Sequence, residues 1–103
     1  MPDAEMKNLM LLARALAALE SPEEASAFMQ ELCFPQEVRA IAQRLGIAEL
    51  LMQGVTQLEI IELLRYGLRK PSTATVNRVG NVVKNGGGHL CRIIARANGV
   101  EGS

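Results

Sequence analysis

The chain has little that serves catalysis: one histidine, two cysteines, one tyrosine, two phenylalanines and no tryptophan in 103 residues. The lone His89 follows the triplet Gly86-Gly-Gly88, with no carboxylate pair or nucleophile at a recognisable spacing. A glycine triplet before a helix can bind anions. This one lacks a preceding strand and a Lys-Ser/Thr pair, so it reads as a linker, and no enzyme is expected. Cys33 and Cys91 are far apart, with no second cysteine or histidine at ligand spacing. They read as reduced thiols, with neither a disulfide nor a metal site expected. No apolar run approaches the roughly 20 residues of a membrane span. Met1-Pro-Asp-Ala-Glu-Met-Lys7 lacks a basic region followed by an apolar stretch, which argues against a secretory signal and for a cytoplasmic protein.

Net charge is also absent, with 11 basic and 11 acidic residues, but the two signs are segregated. Through Leu63 ten acidic residues face four basic ones, a net charge of −6, whereas from Leu64 onward seven basic residues face Glu101 alone, a net of +6. A basic half of this kind is the electrostatic footprint of phosphate binding. The plainer alternative is a folded dipole whose halves attract each other.

What is present is helical periodicity. Apolar residues make up 49% of the chain and aromatics 3%, so the core is Leu, Ile, Val, Ala and Met, as in a helical bundle. The spacing predicts a single domain of six helices and no strand. Met6, Leu9, Met10, Leu12, Ala13, Leu16 and Leu19 form the apolar stripe of the first helix. Ser21-Pro-Glu-Glu24 is a capping box that opens a second, expected to bury Ala25, Phe28, Met29 and Leu32. Phe34-Pro35 starts a long third helix carrying Val38, Ile41, Ala42, Leu45, Ala48, Leu51 and Met52, with Gly54 as its stop. Thr56-Gln-Leu-Glu59, a second capping box, opens the fourth. Pro71 and Ser72 or Thr73 start the fifth, with Val76, Val79 and Val83 inward, and His89 to Ala97 form the sixth after a Gly-rich break. The first helix is too apolar for a monomer of this size, so residues 1–54 are expected to build a homodimer seam.

Two short helices over 56–84, the second entered by Pro71-Ser-Thr-Ala-Thr-Val-Asn77, have the arrangement of a helix-turn-helix. Small hydroxyl and amide side chains at a helix N-terminus allow close approach to a major groove and hydrogen bonds to base edges. Residues 85–103 complete the chain as break, short helix and frayed tail.

Glu37-Val-Arg-Ala-Ile-Ala-Gln-Arg-Leu45, Ala48-Glu-Leu-Leu-Met-Gln-Gly54, Thr56-Gln-Leu-Glu-Ile60 and Ser72-Thr-Ala-Thr-Val-Asn-Arg-Val79 together resemble the Trp repressor superfamily. Glu20-Ser-Pro-Glu-Glu-Ala25 and Phe28-Met-Gln-Glu-Leu-Cys33 are similar to its YerC/YecD branch. The resemblance implies an all-helical, intertwined dimer in which each subunit offers a helix-turn-helix to half of a near-palindromic operator. Its DNA-facing positions fall on Gln57, Ser72, Thr73, Ala74 and Asn77, with Lys84 and Asn85 placed for backbone contacts. The two arginines that hold the corepressor in tryptophan-sensing members fall on Arg44 and Arg78, while two helpful hydroxyl positions correspond to Phe34 and Val82. Loss of both hydroxyls argues against tryptophan as a corepressor and for no cofactor. Arg44 and Arg78 are then expected to tie the third helix to the fifth, through backbone carbonyls or a carboxylate such as Glu49, with capture of a small ligand as the alternative.

Between Ile60 and Ser72 the chain is about five residues longer than the family pattern, a departure carried by Leu64-Arg-Tyr-Gly-Leu-Arg-Lys-Pro71. This either lengthens the first helix of the motif or forms a basic loop reaching phosphates through Arg65, Arg69 and Lys70. The expected function is transcriptional regulation by a duplex-DNA-binding homodimer that represses by occupying a promoter. The alternative is a dimerisation or adaptor module whose motif no longer reads DNA.

Overall fold

The computed structural model of the chain describes residues 2–65, 72–86 and 88–99. They form six helices, α1 (Pro2–Ala18), α2 (Pro22–Leu32), α3 (Pro35–Met52), α4 (Gln57–Leu63), α5 (Thr73–Lys84) and α6 (Gly88–Ala97). No strand occurs among the described residues. The chain divides into two compact units, Met1–Val38 and Arg39–Ser103.

The helix boundaries follow from side-chain chemistry close in sequence. Ser21 caps α2 by accepting the Glu24 N–H at 3.0 Å, with Pro22 at the first helical position. Only half of the expected box forms, because Glu24 Oε1 accepts the N–H of Glu20 at 2.8 Å instead of that of Ser21. At the start of α3, Glu37 Oε1 accepts the Phe34 N–H at 2.7 Å. Thr56 and Glu59 make the full reciprocal box at α4, with bonds of 3.1 and 3.0 Å. Gly54 ends α3 in the left-handed region at φ 94°, and the Gly54 and Val55 amides close back onto the Leu51 and Leu50 carbonyls. That pair of bonds is a Schellman stop, which a residue with a β-carbon would strain.

The core lies in the second unit. Ile47, Ala48, Ile60, Val76, Val79 and Ile94 are buried, drawn from α3, α4, α5 and α6, and Leu51, Val83 and Leu90 pack around them. α5 packs on both α4 and α6. Ile47 joins Ala48 as the buried part of α3, whereas Ile41, Leu45 and Met52 on the expected stripe are exposed.

The first unit carries no comparable interior. α2 buries none of its residues: Ala25, Phe28 and Met29 are half-buried and Leu32 is 59% exposed. Met6, Leu9, Met10, Leu12 and Leu16 of α1 are all exposed. Leu11, Leu12, Ala15, Phe28 and Leu32 line an open groove of about 400 Å³ in this unit. The periodicity marked an apolar face, and within this unit that face is exposed.

Candidate nucleic-acid interface

α5 begins at a side-chain cap. Ser72 Oγ accepts the Thr75 N–H at 3.0 Å and lies 2.9 Å from Thr75 Oγ1. The cap satisfies one of the amides that a helix start leaves open. Its hydroxyl is therefore already engaged before any ligand arrives. Thr73, Ala74 and Asn77 follow on the first turns and are exposed, while Val76 and Val79 on the opposite face are buried in the core. Lys84 is exposed in the last turn. From Ser72 to Gly99 the sequence carries Arg78, Lys84, Arg92 and Arg96 and no carboxylate, so the charged residues of α5 and α6 are all basic.

α4 ends at Leu63, with Leu64 as its C-cap and Arg65 in the following turn, so the extra residues do not prolong that helix through Arg65. Arg69 and Lys70 lie outside the described residues, as do Tyr66 and Pro71. Arg65 is engaged locally: its Nη1 contacts the Glu62 carboxylate at 3.3 Å in an exposed pair. Such a pair adds little stability but partly neutralises the cation.

Gln57, the first residue of α4, is half-buried. Its side chain lies over the backbone of α5 at Gly80, where a β-carbon would stand 2.7 Å from Gln57 Cδ. Gly80 was not among the residues singled out from the sequence. A glycine inside an otherwise regular helical pattern was the available signal, since it costs about 1 kcal/mol against alanine unless packing requires it.

Arg44 and Arg78 come together on one cleft of about 450 Å³, whose other walls are Leu45, Ala74, Thr75, Val79, Val82 and Leu90. Among the described residues neither guanidinium makes an ion pair. Glu49, named with backbone carbonyls as one possible anchor for them, accepts the Asn98 side-chain amide at 2.6 Å. Phe34, in the first unit, is 69% exposed, and Val82 lines the cleft.

Cys33 and Cys91 are free and half-buried. No group of three His, Cys, Asp or Glu able to hold a metal occurs among the described residues. Within the same residues, no helix is long and apolar enough to cross a membrane.

The architecture is that of an all-α protein with a helix whose polar N-terminal turn is open to solvent beside a basic surface. A model of the Trp repressor protein family matches residues 7–98, and the chain belongs to that family. Its members are DNA-binding transcriptional regulators rather than enzymes. No curated protein and no solved structure matches the chain.

Proposed function

We propose that the protein is a cytoplasmic, sequence-specific transcriptional repressor of the YerC/YecD type, binding duplex DNA as a homodimer through a helix-turn-helix formed by α4 and α5. The observation that carries this reading is the N-terminal face of α5. Thr73, Ala74 and Asn77 are exposed there, on a helix anchored from behind by Val76 and Val79 and flanked by a segment without a carboxylate. Asn77 is the base reader, since a carboxamide can bond bidentately to adenine. Ser72, Thr73 and Ala74 allow the close approach. Lys84, with Arg69 and Lys70, serves phosphates.

The homodimer is supported by the apolar α1 surface, which is larger than the scattered apolar residues normal on a monomer. The seam would lie in the first 54 residues. Selection of bound duplexes from a random library at about 0.1 M salt tests the reading, with Asn77→Ala in parallel. A near-palindromic motif is expected, with discrimination at one base pair weakened in the variant by about 1–3 kcal/mol. No enrichment by a folded dimer would favour the adaptor module.

The cleft between Arg44 and Arg78 supports a second reading, in which a small acid with an apolar body gates DNA binding. Among the described residues these two guanidinium groups have no carboxylate partner, and both line the same largely apolar space. Without the hydroxyl at position 82, tryptophan is a poor candidate. A panel of amino acids and indole acids should contain a compound that raises Tm, about 2.7 kcal/mol of added stability at 100 times its Kd. Arg44→Ala should abolish that shift.

A further inference from the structure

Gly80 stands inside α5 and is buried, yet a glycine in a helix interior is the residue least suited to it after proline. The space its side chain would fill is taken by Gln57. A β-carbon at position 80 would lie 2.7 Å from Gln57 Cδ, nearer than real β-carbons pack, and 3.3 Å from Cγ, tighter than most do. What blocks the space is the far end of a flexible chain, not the backbone of α4. A side chain at 80 would therefore evict the carboxamide without forcing the two helices apart.

We infer that Gln57 is a positioning residue whose carboxamide is seated on Gly80, and that this seat withholds Gln57 from nucleic acid, leaving base readout to α5. The second clause rests on the DNA-binding reading above; the first does not. Gln57 begins α4 directly after its Thr56 cap, so its backbone is fixed by the Thr56–Glu59 box. The side chain then reaches α5 at a point that only a glycine leaves open. The seat brings the Gln57 side chain of α4 against α5, beside the buried core to which Ile60 and Val76 both belong. It also makes the identity of residue 80 a determinant of which face Gln57 presents.

Four full-length proteins test this: wild type, Gly80→Ala, Gln57→Ala and the double variant, each checked for helix content. In the Gln57→Ala background, Gly80→Ala is expected to raise Tm by about 4–8 °C, the ordinary gain of alanine over glycine in a helix. With Gln57 present the rise should be less than half as large, because alanine must first displace the carboxamide. Equal rises in both backgrounds would overturn the seat. Duplex selection supplies a readout that packing alone would not move. Gly80→Ala is expected to gain a base preference absent from the wild type, and the double variant to return to the wild-type motif. Identical motifs from all four proteins would overturn the withholding of Gln57. If no protein selects any duplex, the DNA-binding reading fails and the withholding falls with it, while the Tm comparison still decides the seat.

Discussion

The side-chain amide of Asn98 donates to Glu49 Oε2 at 2.6 Å, closing a contact across 49 positions of sequence. Asn98 directly follows α6, and Glu49 lies one residue beyond the buried pair Ile47–Ala48 of α3. The bond therefore fastens the end of α6 to the helix that supplies the core, while Ile94 inserts from the turn before.

Removing either partner should lower stability by about 1 kcal/mol, as for a partly solvated hydrogen bond. The double variant Asn98→Ala/Glu49→Ala should cost much less than the sum of the singles, because the second change removes a group that has already lost its partner. Asn98→Asp sharpens the test by placing a carboxylate against a carboxylate. It should be more destabilising than alanine at pH 7 and should recover as pH falls into the carboxylate range. Urea unfolding of the variants measures all of this; additive single effects would mean the bond contributes nothing.

Glu59 gives the fold a pH dependence of known sign. The Thr56 backbone N–H, and after it the Thr56 hydroxyl, favour the charged form and hold the Glu59 carboxyl below its ordinary value. A lowered carboxyl stabilises the folded state fully above the ordinary value, and that contribution disappears as pH falls through the lowered one. Glu59→Gln should therefore flatten part of the stability loss on acidification below about pH 4.5, the ordinary value for this carboxyl. Thr56→Ala removes the other half of the box and should cost about 1 kcal/mol at pH 7. Tm measured against pH for both variants checks the pair.

The reach of the sequence is instructive at particular positions. Ser21, Thr56 and Gly54 were readable as helix punctuation because each acts on residues within a turn or so of itself, and of Ser72 and Thr73 the structure makes Ser72 the cap. The valines of α5 were readable from a period of three and four. Periodicity could not say whether Phe28 and Leu32 had a partner, because an apolar face looks the same whether its cover comes from the same chain or another. The contacts that failed to show were those between distant elements. Gln57 against Gly80 depends on where two helices cross, and Asn98 with Glu49 on where α6 ends over α3. Arg44 and Arg78 could be placed together only through family resemblance, and the bond from Asn98 to Glu49 is another contact that no local pattern announces.

Ser72 separates stability from recognition. Its hydroxyl caps α5 through the Thr75 N–H, so Ser72→Ala should lose about 1 kcal/mol of stability. Aspartate caps as well as serine and adds a charge that suits a helix N-terminus. Ser72→Asp should therefore keep or raise Tm. If the N-terminus of α5 approaches a phosphate backbone, the same change should cut DNA affinity at least tenfold by like-charge repulsion. A stable Ser72→Asp protein that binds duplex DNA as well as the wild type would place the nucleic acid elsewhere on the surface.

The cations are not equivalent, and their difference should appear in salt dependence. Lys84 is exposed on the last turn of α5, whereas Arg65 is held by the Glu62 carboxylate at 3.3 Å. Each phosphate neutralised adds about 0.9 to the magnitude of the slope of log K against log salt. Lys84→Ala should thus reduce that slope by about 1 and weaken all duplexes by a similar factor. Arg65→Ala should change it far less, since its guanidinium would first have to abandon Glu62 to reach DNA. Glu62→Ala then serves as the converse experiment: by removing an exposed carboxylate beside Arg65 it should steepen the slope and tighten binding without altering the selected motif. Binding isotherms over a range of salt read all three variants. A slope unmoved by Lys84→Ala would remove the C-terminal end of α5 from the phosphate-facing surface.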